Sequence, residues 1–397
     1  MDKANELVAR GADRHRAGRM AEAESCYRRA LRLAPNHPDA LNLLGLALRA
    51  RGLLTEALEH SSRAVGLSPE QPVVLANHGA ALAEAGRLEE AVMVMRAALA
   101  RSPGDAVTWR NLGQALAAQG DAAGALEPLL TAAQLKPDDA EAWLALASAH
   151  AQAGQPVQAR AAAHAALASA GRDRAAAQQA HFMLAALGEG AAPDRAPAGY
   201  VRKLFDQFAP RFDAELEGAL NYRAPALLAA ALGAVLPARG ALAVLDLGCG
   251  TGLSGVALKP FARRLEGVDL SPRMLDGARA RGIYAALHEA DLLAFLPTRR
   301  AGYDLIAAAD VLNYLGDLAP ALAAMRAALR PDGVAAFSLE VGDVSPFELG
   351  AGMRYRHAPA AARAQAMVAG FAILSETEAV LREEQGVPVR GLLMVLR

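Results

Sequence analysis

A repeat of 34 residues runs through the first half of the chain and limits what this half can fold into. The repeats begin at Ala4, Pro38, Pro72, Ala106 and Ala140, without insertions. The eighth position is glycine in four repeats and alanine in the fifth, the fifteenth is always glycine, and the twentieth and twenty-seventh are always alanine. A unit of this length that recurs in register predicts a solenoid of stacked repeats.

The recurring residue types predict a pair of helices in each repeat. Small side chains at the eighth and twentieth positions let the two helices approach closely. Glycine at the fifteenth position ends the first helix, because glycine adopts the left-handed conformation without steric cost. Proline ends the second helix, since it cannot continue the hydrogen-bond ladder. These prolines are Pro35, Pro69, Pro103 and Pro137.

Together these positions resemble the tetratricopeptide repeat (TPR) family over residues 4–173. The resemblance implies five helix pairs, and we expect residues 174–187 to form a capping helix. It also implies a scaffold whose groove, lined by the first helices, binds a protein or peptide. The groove-side positions would suit an acidic or C-terminal peptide, although they are more simply explained as solvated helix faces. They include Asn5, His15, Arg16, Asn42, Arg49, Arg110 and Gln114.

The pattern changes after the repeats. Residues 188–198 are rich in Gly, Pro and Ala, which predicts a linker between a first domain at 4–187 and a second at 199–397. In the second domain short β-type runs alternate with helical ones, which predicts an α/β fold with a mostly parallel, doubly wound sheet. The runs Phe371–Leu381 and Val389–Leu396 predict a closing antiparallel hairpin. The earlier predicted strands are Leu242–Leu247, Leu265–Val268, Ile283–Leu287, Tyr303–Ala308 and Val334–Leu339.

Composition argues against several classes of protein. The formal net charge is −1, and neither half has the basic excess that a nucleic-acid binder needs. The two cysteines, Cys26 and Cys249, lack metal-ligand spacing and argue against a disulfide framework or a zinc site. No apolar leader and no uncharged run of about 18 apolar residues is visible. We therefore expect a cytoplasmic protein without a metal site, a membrane span or a nucleic-acid partner.

The most specific motif is VLDLGCGTGLSG, at residues 244–255. It follows a predicted strand and opens a helix, as the ligand-binding turn of an open α/β sheet does. Glycines at 248, 250 and 252 allow a ligand to approach the backbone, and Asp246 lies just inside the strand end. A dinucleotide fingerprint would have a small residue at position 253, which is Leu253 here.

The motif resembles motif I of class I S-adenosylmethionine (SAM) methyltransferases, which have a Rossmann-like, seven-stranded and mostly parallel sheet with a C-terminal antiparallel hairpin. The resemblance covers roughly residues 199–397 and implies SAM as the cofactor. It implies that Asp269 binds the ribose and that Asp291, beside Leu292, meets the adenine. The segment FDQFAPRFD, from Phe205 to Asp213, is similar to a helix that precedes this fold in several small-molecule methyltransferases. The cofactor-binding residues so implied are Phe212, Asp246, Gly248, Cys249, Gly250, Asp269, Leu270, Asp291, Leu292 and Asp310.

The methyl acceptor is not identified by this resemblance. In this family the segment after the fifth strand commonly folds over the acceptor, so we expect Tyr222, Arg223 and His357 to line the acceptor pocket, with Arg354 and Tyr355 as further candidates. His357 would act as a general base for a hydroxyl or amine acceptor. Arg223 or Arg354 would instead pair with a substrate carboxylate, and no base would then be required.

The leading hypothesis is a methyltransferase that transfers a methyl group from SAM to a small molecule or protein, with the TPR array as interaction scaffold. The combination resembles predicted bacterial methyltransferases that carry TPRs. One alternative is a TPR scaffold whose second domain is catalytically degenerate, although the intact loop argues against decay. Another is a nicotinamide dehydrogenase. Asp269 would suit NAD as well, but Leu253 and the terminal hairpin disfavour that alternative.

Overall fold

The computed structural model describes residues 2–218, 220–236, 240–384 and 386–397. By its internal contacts the chain divides into two compact units, Met1–Ala180 and His181–Arg397. The domain boundaries that we drew from the sequence, at 4–187, 188–198 and 199–397, remain a proposal. Within the described ranges no helix is both long enough and apolar enough to cross a lipid bilayer.

The first unit consists of helices that follow one another in pairs, and four successive pairs begin at a constant spacing, at Pro38, Pro72, Ala106 and Ala140. The predicted period is therefore the period of the structure. The helices are α1 (Asp2–Arg16), α2 (Met20–Leu33), α3 (Pro38–Ala50), α4 (Leu54–Leu67), α5 (Pro72–Glu84), α6 (Leu88–Arg101), α7 (Ala106–Ala118), α8 (Ala122–Leu135), α9 (Ala140–Gln152) and α10 (Pro156–Ser169). A further helix, α11 (Arg174–Ala186), contains the boundary between the units.

The small residues of the repeat lie where the sequence predicts close approach. A Cβ atom at Gly113 would lie 2.4 Å from the side chain of Leu129, and one at Gly79 would lie 2.5 Å from that of Met95. The alanines at the twentieth position are fully buried. The glycines at the fifteenth position have φ between +71° and +87°, as in Gly154 and Gly120. Glycine therefore provides both the close helix contact and the left-handed turn.

The second unit is built on a single mixed sheet. Its strands are β1 (Leu242–Leu247), β2 (Ala262–Asp269), β3 (Ala286–Glu289), β4 (Tyr303–Ala308), β5 (Leu329–Val341), β6 (Phe347–Leu349), β7 (Tyr355–His357), β8 (Ile373–Glu384) and β9 (Val387–Leu396). The strand order is β3-β2-β1-β4-β5-β7-β6, with β9 also beside β5 and β8 beside β9. The first five strands pair in parallel, whereas β9 pairs antiparallel with β5 and β8. The predicted fold class is confirmed.

Two short strands make the sheet larger than the seven strands expected. Among the described residues there are nine, because β6 and β7 form a small hairpin at the end of β5. Strand β5 pairs with β9 as far as Glu340 and then with β7 at Glu340 and Val341. Each added strand has three residues, too few for an alternating apolar pattern to reveal it. The terminal hairpin is also longer than predicted, because β8 and β9 extend into the segment between the two predicted runs.

Helices cover both faces of this sheet. The helices that follow α11 are α12 (Ala198–Phe208), α13 (Phe212–Glu217), α14 (Ala224–Val235), α15 (Leu253–Leu258), α16 (Pro272–Ala280), α17 (Leu292–Phe295), α18 (Ala319–Ala328) and α19 (Pro359–Val368). Successive strand residues point to opposite faces, so Leu245 and Ile306 belong to one apolar core and Val244 and Leu305 to the other. Burial on both faces explains the continuously apolar strands.

Candidate active site

A cavity in the second unit lies at the carboxyl ends of β1, β2 and β4. Ligands of open α/β sheets bind at this edge, next to the point where the strand order reverses. The sheet reverses between β1 and β4, so the cavity lies at that point. Its walls include eight of the predicted cofactor-binding residues: Phe212, Gly248, Gly250, Asp269, Leu270, Asp291, Leu292 and Asp310.

The glycine loop after β1 forms one wall of the cavity. Gly248 and Gly250 have φ of +66° and +53°. A Cβ atom at Gly248 would lie 2.4 Å from Val311, and one at Gly250 would lie 3.5 Å from the ring of Phe212. Glycine at these positions therefore permits the backbone turn and leaves the space between the loop and the aromatic ring free.

Asp269, the last residue of β2, connects this loop to the next one. One carboxylate oxygen accepts a hydrogen bond from the N–H of Gly250 at 2.9 Å, and the other accepts from the N–H of Ser271 at 2.8 Å. Burial raises the pKa of Asp269, although these hydrogen bonds oppose the rise. A carboxylate oxygen has two lone pairs, so each retains capacity for a ligand hydroxyl.

Aromatic side chains cover the cavity. The ring of Phe212 lies edge-on to Phe208 at 5.3 Å and to Phe205 at 6.3 Å between centroids, and Phe205 lies 5.5 Å from Tyr314. All four residues line the cavity. This cover would exclude water from a bound ligand.

The two aspartates of the FDQFAPRFD segment attach this cover to the loops beneath it. Asp206 accepts a hydrogen bond from the hydroxyl of Ser271 at 2.6 Å, on the loop after β2. Asp213 accepts one from the hydroxyl of Thr251, on the glycine loop, and another from Arg281 at 2.5 Å. The sequence motif predicts the segment but assigns a role to Phe212 alone, so the roles of Asp206 and Asp213 come from the structure.

Arg195 also belongs to the cavity wall, although it lies in the segment predicted to be a linker. Its guanidinium forms an ion pair with Asp291. The next residue, Ala196, donates its N–H to the carbonyl of Tyr314 at 2.9 Å. Asp291 in addition caps α17 by accepting from the N–H of Leu293 at 2.9 Å. Nothing in the residue pattern around Arg195 indicated this role.

Asp246 and Cys249, which the resemblance assigns to cofactor binding, are not among the residues that line the cavity. Asp246 accepts hydrogen bonds from Ser254 at 2.8 Å and Tyr284 at 2.6 Å, and its other oxygen has no partner among the described residues. Burial raises the pKa of Asp246 to about 6. Cys249 is buried against Gly267, where an added Cβ would lie 2.8 Å from its sulfur. Both side chains support the loop from below.

The predicted acceptor residues are only partly brought together. Tyr222 lines the cavity, and burial raises the pKa of its hydroxyl. Arg223 lies outside the lining, where its backbone N–H donates to the carbonyl of Leu381 at 2.8 Å. His357 is also outside it, because β7 buries the side chain and its Nε2 contacts the carbonyl oxygen of Gly316 at 3.2 Å. The expected base is therefore not placed at the cavity.

A charged cluster occupies the end of the cavity beside β4 and β8. Arg382 donates to Asp310 at 2.6 Å, to Glu384 at 2.8 Å and also to Glu340. Arg354 donates to Glu340 at 2.7 Å and to Glu384 at 2.5 Å. The sequence reasoning missed Arg382, Glu340 and Glu384, since they lie far from any motif and only the sheet order brings them to the site.

The α/β sheet, the glycine loop and the acids at successive strand ends define a Rossmann-like domain of the class I methyltransferase type. A family model described as a methyltransferase domain matches residues 244–333. A second model, described as a tetratricopeptide repeat, matches residues 8–72 and 77–140. The chain therefore carries a methyltransferase domain together with tetratricopeptide repeats.

Several curated methyltransferases match part of the chain. Methyltransferase-like protein 27 of Homo sapiens is 43% identical over 86 residues, which are 21% of this chain and 34% of that protein. The ribosomal protein L11 methyltransferase of Thiobacillus denitrificans is 41% identical over 88 residues, 21% of this chain and 29% of that protein. The trans-aconitate 2-methyltransferase of Paracidovorax citrulli is 35% identical over 106 residues, which are 26% of this chain and 41% of that protein. The chain thus spans about a third of the length of these relatives.

Solved structures resemble one part of the chain or the other. A thermophilic TPR protein of Thermus thermophilus has a TM-score of 0.39 and 25% identity, and the match covers 45% of this chain and 97% of that one. A SAM-dependent methyltransferase of Mesorhizobium loti has a TM-score of 0.34 and 27% identity, and the match covers 42% of this chain and 96% of that one.

Proposed function

We propose that the second unit binds SAM in the cavity at the ends of β1, β2 and β4 and catalyses methyl transfer from it. The observation that carries this proposal is the convergence of the glycine loop, Asp269 and the aromatic cover on one cavity. The residues fit SAM, the methyl donor. The loop leaves space for a ligand beside Phe212, and Asp269, which lines the cavity, retains lone pairs that can accept hydrogen bonds.

Each part of the wall has a role in this proposal. Asp269 would accept hydrogen bonds from the ribose hydroxyls, and Asp291 with Leu292 would hold the adenine. The loop at Gly248 and Gly250 would hold the methionine part. Bound SAM supplies a methyl group activated by its sulfonium, and the chain's residues align it with the acceptor and exclude water.

The acceptor does not follow from the relatives. Their names specify different acceptors, among them ribosomal protein L11 and trans-aconitate. The matched stretch covers less than half of each of these proteins. The relatives therefore support no more than a small molecule or a protein as the acceptor of the proposed reaction.

Titration calorimetry of the full chain with SAM, S-adenosylhomocysteine and NAD tests the proposal. We expect both sulfur nucleosides to bind and NAD to bind far more weakly. Binding of NAD instead would support the dehydrogenase, and no binding of either nucleoside would support the degenerate scaffold. Formation of S-adenosylhomocysteine during incubation with cell extract then tests for transfer itself.

We further propose that the TPR array binds a protein or peptide partner through its first helices. Two of the arginines among the groove-side residues already have carboxylate partners, since Arg49 pairs with Glu84 at 3.1 Å and Arg110 with Asp139 at 2.7 Å. The proposal therefore does not require an acidic peptide. Photo-crosslinkers test which helices contact the partner. One is placed at Gln114, on the first helix α7, and the other at the exposed Met93, on the second helix α6. We expect capture from Gln114 alone. Capture of the same partner from both positions would contradict a first-helix groove.

A further inference from the structure

Two guanidiniums share one carboxylate at the charged end of the cavity. The Nη2 of Arg354 donates to both oxygens of Glu384, at 2.5 and 2.7 Å, and the Nε of Arg382 donates to Oε1 at 2.8 Å. Glu384 is the outer member of this group, since its side chain is 38% exposed whereas that of Arg382 is 7% exposed. The two arginines thus form a carboxylate-binding site, which a carboxylate of the chain itself occupies.

The inner acids of the cluster are held more firmly. Asp310 is bonded to Arg382 at 2.6 Å and to the hydroxyl of Ser338 at 2.9 Å, and the buried Glu340 is bonded to both arginines. Removing either acid would take a carboxylate partner from the buried guanidinium of Arg382, which is costly. Glu384 can leave toward solvent, and an anion that replaced it would restore the same charge and the same hydrogen bonds.

The pair of Arg354 and Glu384 also lies between two cavities. Both residues line the cavity described above and a second cavity of about 430 Å³, whose walls include Gly350, Gly352 and Arg356. An acceptor in the second cavity would therefore reach the first through this pair. The body of the acceptor would remain in the second cavity while its reacting group entered the first.

The first cavity lacks a free general base for an acceptor that must lose a proton, among the residues that the structure describes. In the part of the chain that the structure describes, no histidine, lysine or cysteine lines it. Burial raises the pKa of Tyr222 and brings that of Tyr314 to about 12, so both hydroxyls stay protonated at neutral pH. The four carboxylates that line it already have partners. Asp310 is bonded to Arg382 and Ser338, and Glu384 to both arginines of the cluster. Asp291 pairs with Arg195, and Asp269 accepts from two backbone N–H groups. A carboxylate acceptor needs no base, because it is already ionised.

We infer that the methyl acceptor is a carboxylic acid, bound as its carboxylate by Arg354 and Arg382 in place of Glu384. This inference rests on the proposed methyltransferase function. In the step it implies, a lone pair of a carboxylate oxygen forms the new O–CH₃ bond. The S–CH₃ bond breaks and its electron pair stays on sulfur, so the products are a methyl ester and S-adenosylhomocysteine. No proton is transferred.

The chemical lability of the product tests this inference before the acceptor is known. The full chain is incubated with methyl-labelled SAM and cell extract, and the products are then treated with alkali. A methyl ester releases its label as methanol, whereas N-methyl, C-methyl and ether products retain it. Release as methanol is the expected result, and label that resists alkali would overturn the inference while leaving the methyltransferase proposal intact. Failure to bind SAM in calorimetry would instead contradict the proposed function itself.

Two variants test the arginine site once the acid has been identified from its labelled methyl ester. Arg354→Gln should weaken binding of the acid about tenfold or more, measured by calorimetry without SAM, and should leave the Kd for SAM within about twofold. Glu384→Gln, at a half-exposed position, should strengthen binding of the acid because a neutral amide competes less for the guanidiniums. Arg363→Gln, which removes a surface pair with Glu376, is the control. Equal affinity for the acid in all variants would overturn the assignment of the site.

Discussion

The backbone N–H of Gly250 donates a hydrogen bond of 2.9 Å to the carboxylate of Asp269 and so joins the glycine loop to the end of the second strand. Two motifs that lie 19 residues apart in sequence are therefore one structural unit. A change at either residue should alter both the shape of the loop and the binding of a nucleoside.

Replacement of Asp269 by Asn should weaken SAM binding. The amide keeps a single acceptor oxygen, and its NH₂ group would face the N–H of Gly250 or that of Ser271. A hydrogen bond to a charged group contributes about 1.5–3 kcal/mol, so we expect the Kd to rise about 10- to 100-fold. Calorimetry measures this, with Asp276→Asn as the matched control, because Asp276 is exposed on α16 and pairs with Arg279. Equal losses in both variants would contradict a specific role for Asp269.

Substitution of Gly250 by Ala should reduce both stability and SAM affinity. The residue has φ of +53°, and a left-handed conformation costs a non-glycine residue about 1–2 kcal/mol. The new methyl group would also lie 3.5 Å from Phe212, within the proposed donor site. Gly282→Ala separates the two effects, because Gly282 has φ of +64° and open space around it. We expect the control to lose stability in urea unfolding but to keep its Kd for SAM.

Asp246 should make the stability of the second unit depend on pH. Its pKa is raised from 3.8 to about 6, which corresponds to about 3 kcal/mol. Because the folded state holds the proton more tightly than the unfolded state, the carboxyl stabilises the fold fully below about pH 4, and this contribution is lost as the pH rises through about 6.

The variant Asp246→Asn should lack that dependence. The free energy of unfolding of the variant, relative to the unmodified chain, should therefore rise by about 2 kcal/mol between pH 4 and pH 7. Urea unfolding followed by circular dichroism measures it, and tryptophan fluorescence follows the first unit separately, since both tryptophans of the chain, Trp109 and Trp143, lie there. Parallel pH profiles for the two proteins would contradict the assignment of a raised pKa.

Overpacking a helix contact in the repeats should destabilise the first unit. A Cβ at Gly113 would lie 2.4 Å from Leu129, so Gly113→Ala should cost about 1–3 kcal/mol. Gly104→Ala is the control, because an added Cβ there meets nothing within 4 Å. Urea unfolding monitored by tryptophan fluorescence gives both values. A cost at position 104 equal to that at 113 would indicate a general backbone effect rather than packing.

Much of the fold could be predicted because the relevant signals are local and periodic. The 34-residue period sets the helix pairs, and the predicted bounds Leu242–Leu247 and Tyr303–Ala308 are those of β1 and β4. The glycine loop was identifiable because backbone geometry demands glycine at positions such as 250. Strands β6 and β7 were missed, since three residues carry no usable period.

The parts of the site that depend on tertiary structure were not predictable from local sequence. Arg195 lies in a Gly/Pro/Ala-rich segment that has no pattern, yet it pairs with Asp291. Arg382 and Glu384 belong to a strand without a recognisable motif. They reach the cavity only because β9 pairs with both β8 and β5. His357 failed as a candidate because the unforeseen strand β7 buries it.

A crystal structure of the full chain with S-adenosylhomocysteine tests the central claim most directly. The account predicts the nucleoside in the cavity at the ends of β1 and β2, with the ribose hydroxyls within about 3 Å of the carboxylate of Asp269. The adenine should lie beside Leu292 and Phe212 should cover the ligand. A nucleoside bound elsewhere, or a ribose turned away from Asp269, would contradict the account.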